Sequence, residues 1–423
     1  MARTRLARLA IAVLLATPLS AQLLTLQQAL DTAGKANPEL QRARLRVLES
    51  EAQAEVQRSV MGPQLSLGVS QSYQTSNLAG IGVGGAGFPS RVGPYRVFDT
   101  RPRLTQTVLD LSLPAAWRAA RERAGQAREE AAVTGEQTLA AVIDVYLRAL
   151  AADSRARAGA ARVETARALL GQVSDAERAG TSSQLDVSRA RQQLESEQAA
   201  LLLARRDRDA LVTVLKRTVG LEQAVPVELE DVAAAAPESA PLIRPEIRAL
   251  EANRRALQQD KVRAQRERWP TVTAFGDFGV LGQDPTQALS TFTVGASLNI
   301  PLWTSGRIAN QISTARLRIE QADRERRALD LEVSQEEAQA RLQREAAREA
   351  LVHCARATAA ARQTLQLARL RFGAGLTTNL DVIAAQGNLA QAEDEEIRTR
   401  YDGLLAAARL ALARGDVMSF VRR

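Results

Sequence analysis

Four stretches of the chain alternate apolar and polar residues, and several much longer stretches repeat apolar residues at every third and fourth position. The alternation is cleanest where Phe292, Val294, Ala296, Leu298 and Ile300 interleave with Thr293, Gly295, Ser297 and Asn299, up to Pro301. Leu65, Leu67, Val69 and Tyr73 interleave with Ser66, Gly68, Ser70 and Ser72, while Ala274, Gly276, Phe278 and Val280 form a weaker case. A fourth stretch, about 97–108, is broken by Arg101, Pro102 and Arg103. Period-two alternation predicts two-faced strands. Each stretch runs to about ten residues, the length that lets a tilted strand cross a bilayer.

The 3-4 spacing predicts helices. Between Gly306 and Phe372 there is no proline, and at ~1.5 Å per residue such a helix reaches roughly 100 Å. Its apolar positions are Ile308, Ile312, Ala315, Ile319, Ala322, Leu329 and Val333. The next helix continues with Leu380, Ile383, Gly387, Ala390, Ile397, Tyr401, Leu404, Ala408 and Ala411. In the first half the rhythm is Val187, Ala190, Leu194, Leu201, Ala204, Leu211 and Leu215. Sustained spacing of this kind is a coiled-coil seam. Short breaks near Gly180 and Gly375 must fold each helix pair into an antiparallel hairpin.

The chain repeats itself. Asn37-Pro38-Glu39-Leu40 recurs as Arg244-Pro245-Glu246-Ile247, and Pro63 recurs as Pro270 ahead of an alternating segment. Gly180-Thr181-Ser182-Ser183-Gln184-Leu185-Asp186-Val187 recurs as Gly375-Leu376-Thr377-Thr378-Asn379-Leu380-Asp381-Val382 at a smaller separation, so the first half carries the longer loop. That loop, Asn77 to Gly93, is rich in glycine but is followed by Phe88-Pro89 and a strand rather than a helix, and reads as a surface connection, not a nucleotide loop. The expected organisation is a signal peptide at 1–21, a first repeat at 22–222, a linker at 223–242, a second repeat at 243–415 and a tail at 416–423.

Composition narrows the function. Arg3, Arg5 and Arg8 precede a short apolar core, Leu9 to Ala16, and a small-residue site at Ser20 and Ala21. This is the pattern of a secretory signal, and its removal takes the net charge from +8 to about +5. The remainder has no run of 18 apolar residues and so no expected spanning helix. With 1 His and 1 Cys in 423 residues, a disulfide, a zinc cluster and a His-based metal centre within one chain are excluded. His353 and Cys354 stand side by side in a predicted helix with no triad context, and the carboxylates are interleaved with Arg along helices, so no acid–base pair stands out and no enzyme is expected. Export and the even spread of Arg argue against nucleic-acid binding. An exported chain with short two-faced strands is either soluble outside the cytoplasm or part of a membrane β-barrel. Four strands cannot close a barrel, and open sheet edges are not tolerated in lipid; strands that span must be shared among several chains.

In layout and local motifs the sequence resembles the outer-membrane efflux protein family, the TolC-like exit ducts, over essentially the whole mature chain. The residues that carry the resemblance are Leu26-Gln27-Gln28-Ala29-Leu30 with Asn37-Pro38-Glu39-Leu40, the junction Leu298-Asn299-Ile300-Pro301-Leu302-Trp303-Thr304-Ser305-Gly306-Arg307, and the two Ala-Gly-x-(Ser/Thr)-(Ser/Thr)-x-Leu-Asp-Val turns. The resemblance implies an α+β, mainly α fold, internally duplicated: long antiparallel coiled-coil hairpins plus four strands per chain, contributed to a trimeric twelve-stranded barrel in the cell outer membrane. It implies a homotrimer in outer-membrane lipid with a periplasmic helical tunnel, a periplasmic adaptor and an inner-membrane pump as partners, and no cofactor or metal.

The same resemblance picks out residues. The hairpin tips, Ala179, Gly180, Thr181 and Ser182 with Gly373, Ala374, Gly375, Leu376 and Thr377, would meet the adaptor; these glycines also read simply as helix terminators. Asp381 matches a carboxylate at the family's periplasmic entrance, and also reads as an acid in a helix's first turn. Asp394 falls on the seam rhythm and is a further pore candidate. Asp186 matches an Asp that in the family links to an Arg and a Tyr of the second turn; those positions are Thr377 and Phe372 here, so the entrance must be held by packing and other polar pairs. The alternative is a periplasmic coiled-coil scaffold or adaptor, which shares the seams but has no need of paired amphipathic strands.

Overall fold

The computed structural model describes residues 22–82, 87, 89–232 and 243–421. The expected signal segment and half of the expected linker lie outside them. The elements run β1 (Gln22–Leu24), α1 (Leu26–Ala36), α2 (Pro38–Ser59), β2 (Gln64–Asn77), β3 (Arg91–Leu109), α3 (Ser112–Arg178), α4 (Gln184–Val219), β4 (Val227–Leu229), α5 (Pro245–Arg266), β5 (Thr271–Gly282), β6 (Leu289–Asn299), α6 (Arg307–Gly373) and α7 (Asn379–Ala413), with short 3-10 turns at Ala79–Ile81 and Val417–Phe420. From α2 and α5 onward the two halves match in order: α2 and α5 have 22 residues each, α3 and α6 have 67 each, and α4 and α7 have 36 and 35. Only the first strand hairpin is longer, as the repeat spacing requires.

The helix starts follow from local chemistry. At the Asn37-Pro38 motif, Asn37 Oδ1 accepts from the backbone N–H of Glu39 at 2.9 Å, and Pro38 stands at the first helical position, where no N–H is needed. The Asn37 amide donates to the Thr218 carbonyl at 2.8 Å and ties the end of α1 to the end of α4. The helix ends use a shared device. At Gly180 (φ 75°) and Gly375 (φ 70°) the Thr181 N–H reaches the Ala176 carbonyl and the Leu376 N–H reaches the Arg371 carbonyl, both at 2.8 Å. This Schellman closure needs a left-handed residue, which glycine adopts without a Cβ penalty.

The chain divides into two compact units, and each draws on both halves of the sequence. One, Arg42–Thr134 with Ile243–Gln335, holds an antiparallel four-stranded sheet in the order β2-β3-β5-β6. The hairpin of each half is joined to the other through β3 and β5. The register gathers the apolar alternations onto one face: Leu65 lies opposite Leu104, Leu67 opposite Pro102, which neighbours Phe278 across the next pairing, and Phe278 lies opposite Phe292. Arg101 and Arg103 do not break the strand, as the sequence suggested. They fall on the other face, Pro102 fits on the apolar one, and β3 continues for 19 residues as the longest strand. In a single chain the apolar face is bare: Val294 is 79% and Leu67 68% exposed.

The other unit, Met1–Gln41, Gly135–Leu242 and Glu336–Arg423, is mainly helical among its described residues. Leu30, Ile143, Tyr146, Leu147, Leu150, Leu215, Ala411 and Phe420 form its main core. Tyr146 is fully buried, and its hydroxyl lies 2.8 Å from the carbonyls of both Leu24 and Glu230, at the ends of the parallel β1–β4 pair. Burial pushes its phenol well above the ordinary range. The seam expected in α4 is half-buried to buried along its length, whereas that of α7 is displaced at its start: Leu380 is exposed, and Val382, Ala385 and Gln386 are buried instead. The cause is that α7 begins in a cluster with α3, α4 and α6, so its buried stripe is set by several neighbours rather than one.

Candidate functional site

Two places carry polar chemistry beyond what the fold needs: the hairpin tips and the polar face of the sheet. At the tips, α3 ends at Arg178 and α4 begins at Gln184, so Ala179 to Ser182 form the first turn; α6 ends at Gly373 and α7 begins at Asn379, leaving Ala374 to Thr377 in the second. Gly180, Gly375 and Leu376 are exposed, and a Cβ on either of these two glycines would meet nothing within 4 Å.

Asp186 caps α4. Its carboxylate accepts from the Ser183 hydroxyl at 2.6 Å and the Ser183 N–H at 3.2 Å, while the Asp186 N–H returns to the Ser183 hydroxyl, completing a capping box. Those hydrogen bonds, the Ser183 hydroxyl first, hold its carboxyl below the ordinary range. Asp381 stands at the equivalent place in α7. The Thr377 hydroxyl donates to it and is the main reason its carboxyl also lies low; the backbone of Thr378 and the more distant Arg371 act in the same direction. Asp381 is exposed, so its charge faces water. Asp394 is not a lone carboxylate: Arg162 of α3 donates to both of its oxygens, at 2.7 and 3.2 Å.

Three features at the tips were missed by sequence reasoning. Asn379 is 1% exposed, and its amide donates at 2.8 Å to the backbone carbonyl of Asp186, linking the second turn to the first. Beneath it Leu169, Val173, Leu365 and Val382 pack together, with Phe372 against them. Packing and this amide tie therefore hold the two turns of one chain together. Gln386 is buried with neither amide atom bonded, and it lines a cavity of about 90 Å³ with Arg162, Glu197 and Glu393. The signal for Asn379 and Gln386 was polar residues in a helix stretch where neighbours at 3-4 spacing are apolar.

On the polar face of the sheet, Asp277 of β5 is almost enclosed. Arg101 donates to it at 3.2 Å and to Asp99 at 2.6 Å, and Arg103 lies 3.8 Å away. The cluster joins the hairpin of one half to that of the other. Among the described residues, no group of three or more His, Cys, Asp or Glu is placed to hold a metal ion, and no helix is long and apolar enough to cross a membrane.

A sheet with one apolar and one charged face, together with two 67-residue helices in a duplicated chain, defines a class of protein. The sequence matches the model of the outer membrane efflux protein family over residues 27–221 and 236–416. The chain belongs to that family and is an outer-membrane exit duct for efflux. It is 25% identical to the pyoverdine export outer membrane protein OpmQ of Pseudomonas putida, across 92% of this chain and 85% of that protein. Its fold is similar to that of the outer membrane protein VceC of Vibrio cholerae (TM-score 0.79, 19% identity, 92% of this chain and 96% of that one). It is also similar to the Campylobacter jejuni CmeC outer membrane channel (TM-score 0.80, 17% identity, 92% and 85%).

Proposed function

We propose that three copies of this chain close one twelve-stranded barrel in the outer membrane and continue as a helical tunnel in the periplasm, forming a passive duct rather than an enzyme. The observation that supports this is the open sheet. β2 and β6 each pair on one side only, and the apolar face carries residues such as Leu65, Phe292 and Val294 at 74–79% exposure. In lipid an unpaired strand edge costs several kcal/mol per unsatisfied group, and closure removes it. Four strands per chain fall short of the smallest membrane barrel, of about eight, whereas three chains supply enough. The two repeats, 22–222 and 243–415 about a linker at 223–242, then give the barrel a sixfold alternation of hairpins.

The tips are the proposed contact for a periplasmic adaptor carried by an inner-membrane pump. Their small exposed residues, Gly180 and Gly375 foremost, admit a close approach by another helical hairpin. Three copies of Asp381 form the proposed negative ring at the entrance, with Asp186 behind the first turn as its cap. Asp394 is a weaker ring candidate because Arg162 neutralises it. A ring of this kind favours cations.

Outer-membrane fractions should yield a trimer band that collapses on boiling, and the trimer should pass single-channel current in planar bilayers. A detergent-free soluble monomer with no current would favour the scaffold reading instead.

A further inference from the structure

The rim where β5 begins and β6 ends carries a patch that the duct itself leaves unused. Trp269 precedes β5, and Leu302 and Trp303 follow β6; since Thr271 pairs with Asn299, these residues come to one end of the sheet. They are 54%, 90% and 86% exposed. Trp117 stands near the start of α3, which follows β3 at this same end, so the 3 tryptophans of the chain are all at one rim.

Next to this rim a groove of about 580 Å³ opens between α3, α5 and α6. Its charged lining is Arg123, Arg263, Arg307, Arg318, Asp260 and Glu267. Two of the arginines are neutralised, Arg123 by Asp260 and Arg307 by Glu267. Arg263 and Arg318 are exposed and have no ion pair among the described residues, and the same holds for Arg268 beside Trp269. Helical side chains lean toward the helix N-terminus, so Arg318 on α6 leans back toward the rim. The groove is left with two uncompensated guanidinium groups beside an exposed aromatic ledge.

The geometry points to a binding site for an anionic phospholipid: Arg263 and Arg318 hold the headgroup phosphate, Arg268 stands at its edge, and Trp269, Leu302 and Trp303 cover the glycerol and upper acyl region. This assignment rests on the reading that the sheet spans the outer membrane with this rim at the periplasmic leaflet. Charge and continuity select the occupant. Guanidinium forks match phosphate oxygens, and tryptophan settles at membrane–water interfaces. The ledge also runs directly on from Leu298 and Ile300, which continue the apolar face of the sheet. Basic pockets of this kind recruit acidic lipid headgroups.

The purified trimer is reconstituted with phosphatidylglycerol or phosphatidylcholine, and retained lipid is read by native mass spectrometry. Wild type should retain phosphatidylglycerol about thirtyfold better than phosphatidylcholine, on the basis of two guanidinium contacts. The double variant Arg263→Gln/Arg318→Gln should lose that preference, Arg263→Lys/Arg318→Lys should keep most of it, and millimolar inorganic phosphate should not displace the lipid. No preference in wild type, preference surviving in the Gln variant, or displacement by inorganic phosphate overturns the site. So does a Gln variant whose trimer band weakens while lipid retention is unchanged, which would make the groove an interface between copies. Quenching of Trp303 by brominated acyl chains separates the two readings. Quenching without lipid preference sinks the site alone, and absence of quenching sinks the spanning sheet together with it.

Discussion

Placing an arginine at Val294 tests the orientation of the sheet most directly. Val294 is the middle residue of the 11-residue β6. At ~3.3 Å per residue it lies about 17 Å along the strand from either end, and a tilt of about 40° puts it roughly 13 Å from each rim, close to the bilayer midplane. It faces the apolar side, opposite Gly276, and is 79% exposed in the single chain. An arginine at that depth on a lipid-facing barrel position costs about 2–4 kcal/mol. In the proposed trimer, three copies give roughly 6–12 kcal/mol, which lowers its population by about four orders of magnitude or more. The control is Thr293→Arg, one residue away at nearly the same depth but on the polar face, where its neighbour across the pair is Asp277 rather than an apolar residue. Heat-modifiable trimer in outer-membrane fractions is the readout. Val294→Arg should abolish the band, and Thr293→Arg should leave it within about twofold of wild type. Equal loss in both variants, or wild-type trimer with Val294→Arg, would refute the assignment of faces.

Two further outcomes concern the helical hairpins. Asp381→Asn should reduce the cation preference measured by reversal potential; because the Thr377 hydroxyl holds the Asp381 carboxyl low, wild-type preference should persist as pH falls through the ordinary carboxylate range. Thr377→Val should make that preference fade at a higher pH, and coincident pH profiles would show that Asp381 does not face the conduction path. In the Arg162–Asp394 pair, the Arg162 side chain is 20% exposed and Asp394 47%. Asp394→Ala should therefore destabilise α7 by about 1–2 kcal/mol, since it strands the more enclosed charge, whereas Arg162→Met should cost under about 1 kcal/mol because water can solvate the carboxylate left behind. Hydrogen exchange of α7 amides reads both, and the reverse ranking would refute the burial argument.

Much of this architecture was legible along the chain because it rests on local rules. Alternation marked β2, β5 and β6, Gly180 and Gly375 marked the hairpin turns through the left-handed conformation they adopt, and the repeated motifs announced two equivalent halves. The register of β3 was not legible, because Arg101-Pro102-Arg103 looks like an interruption until its partners are known. Only pairing with β2 and β5 shows that both arginines take the polar face and that Asp277, distant in sequence, meets them. The tie from Asn379 to Asp186, the pairing of Arg162 with Asp394 and the shifted stripe at the start of α7 were hidden for the same reason. Periodicity fixes which residues share a face of one element, but a buried polar group is satisfied by whichever element packs against it, and that neighbour is chosen by the fold as a whole.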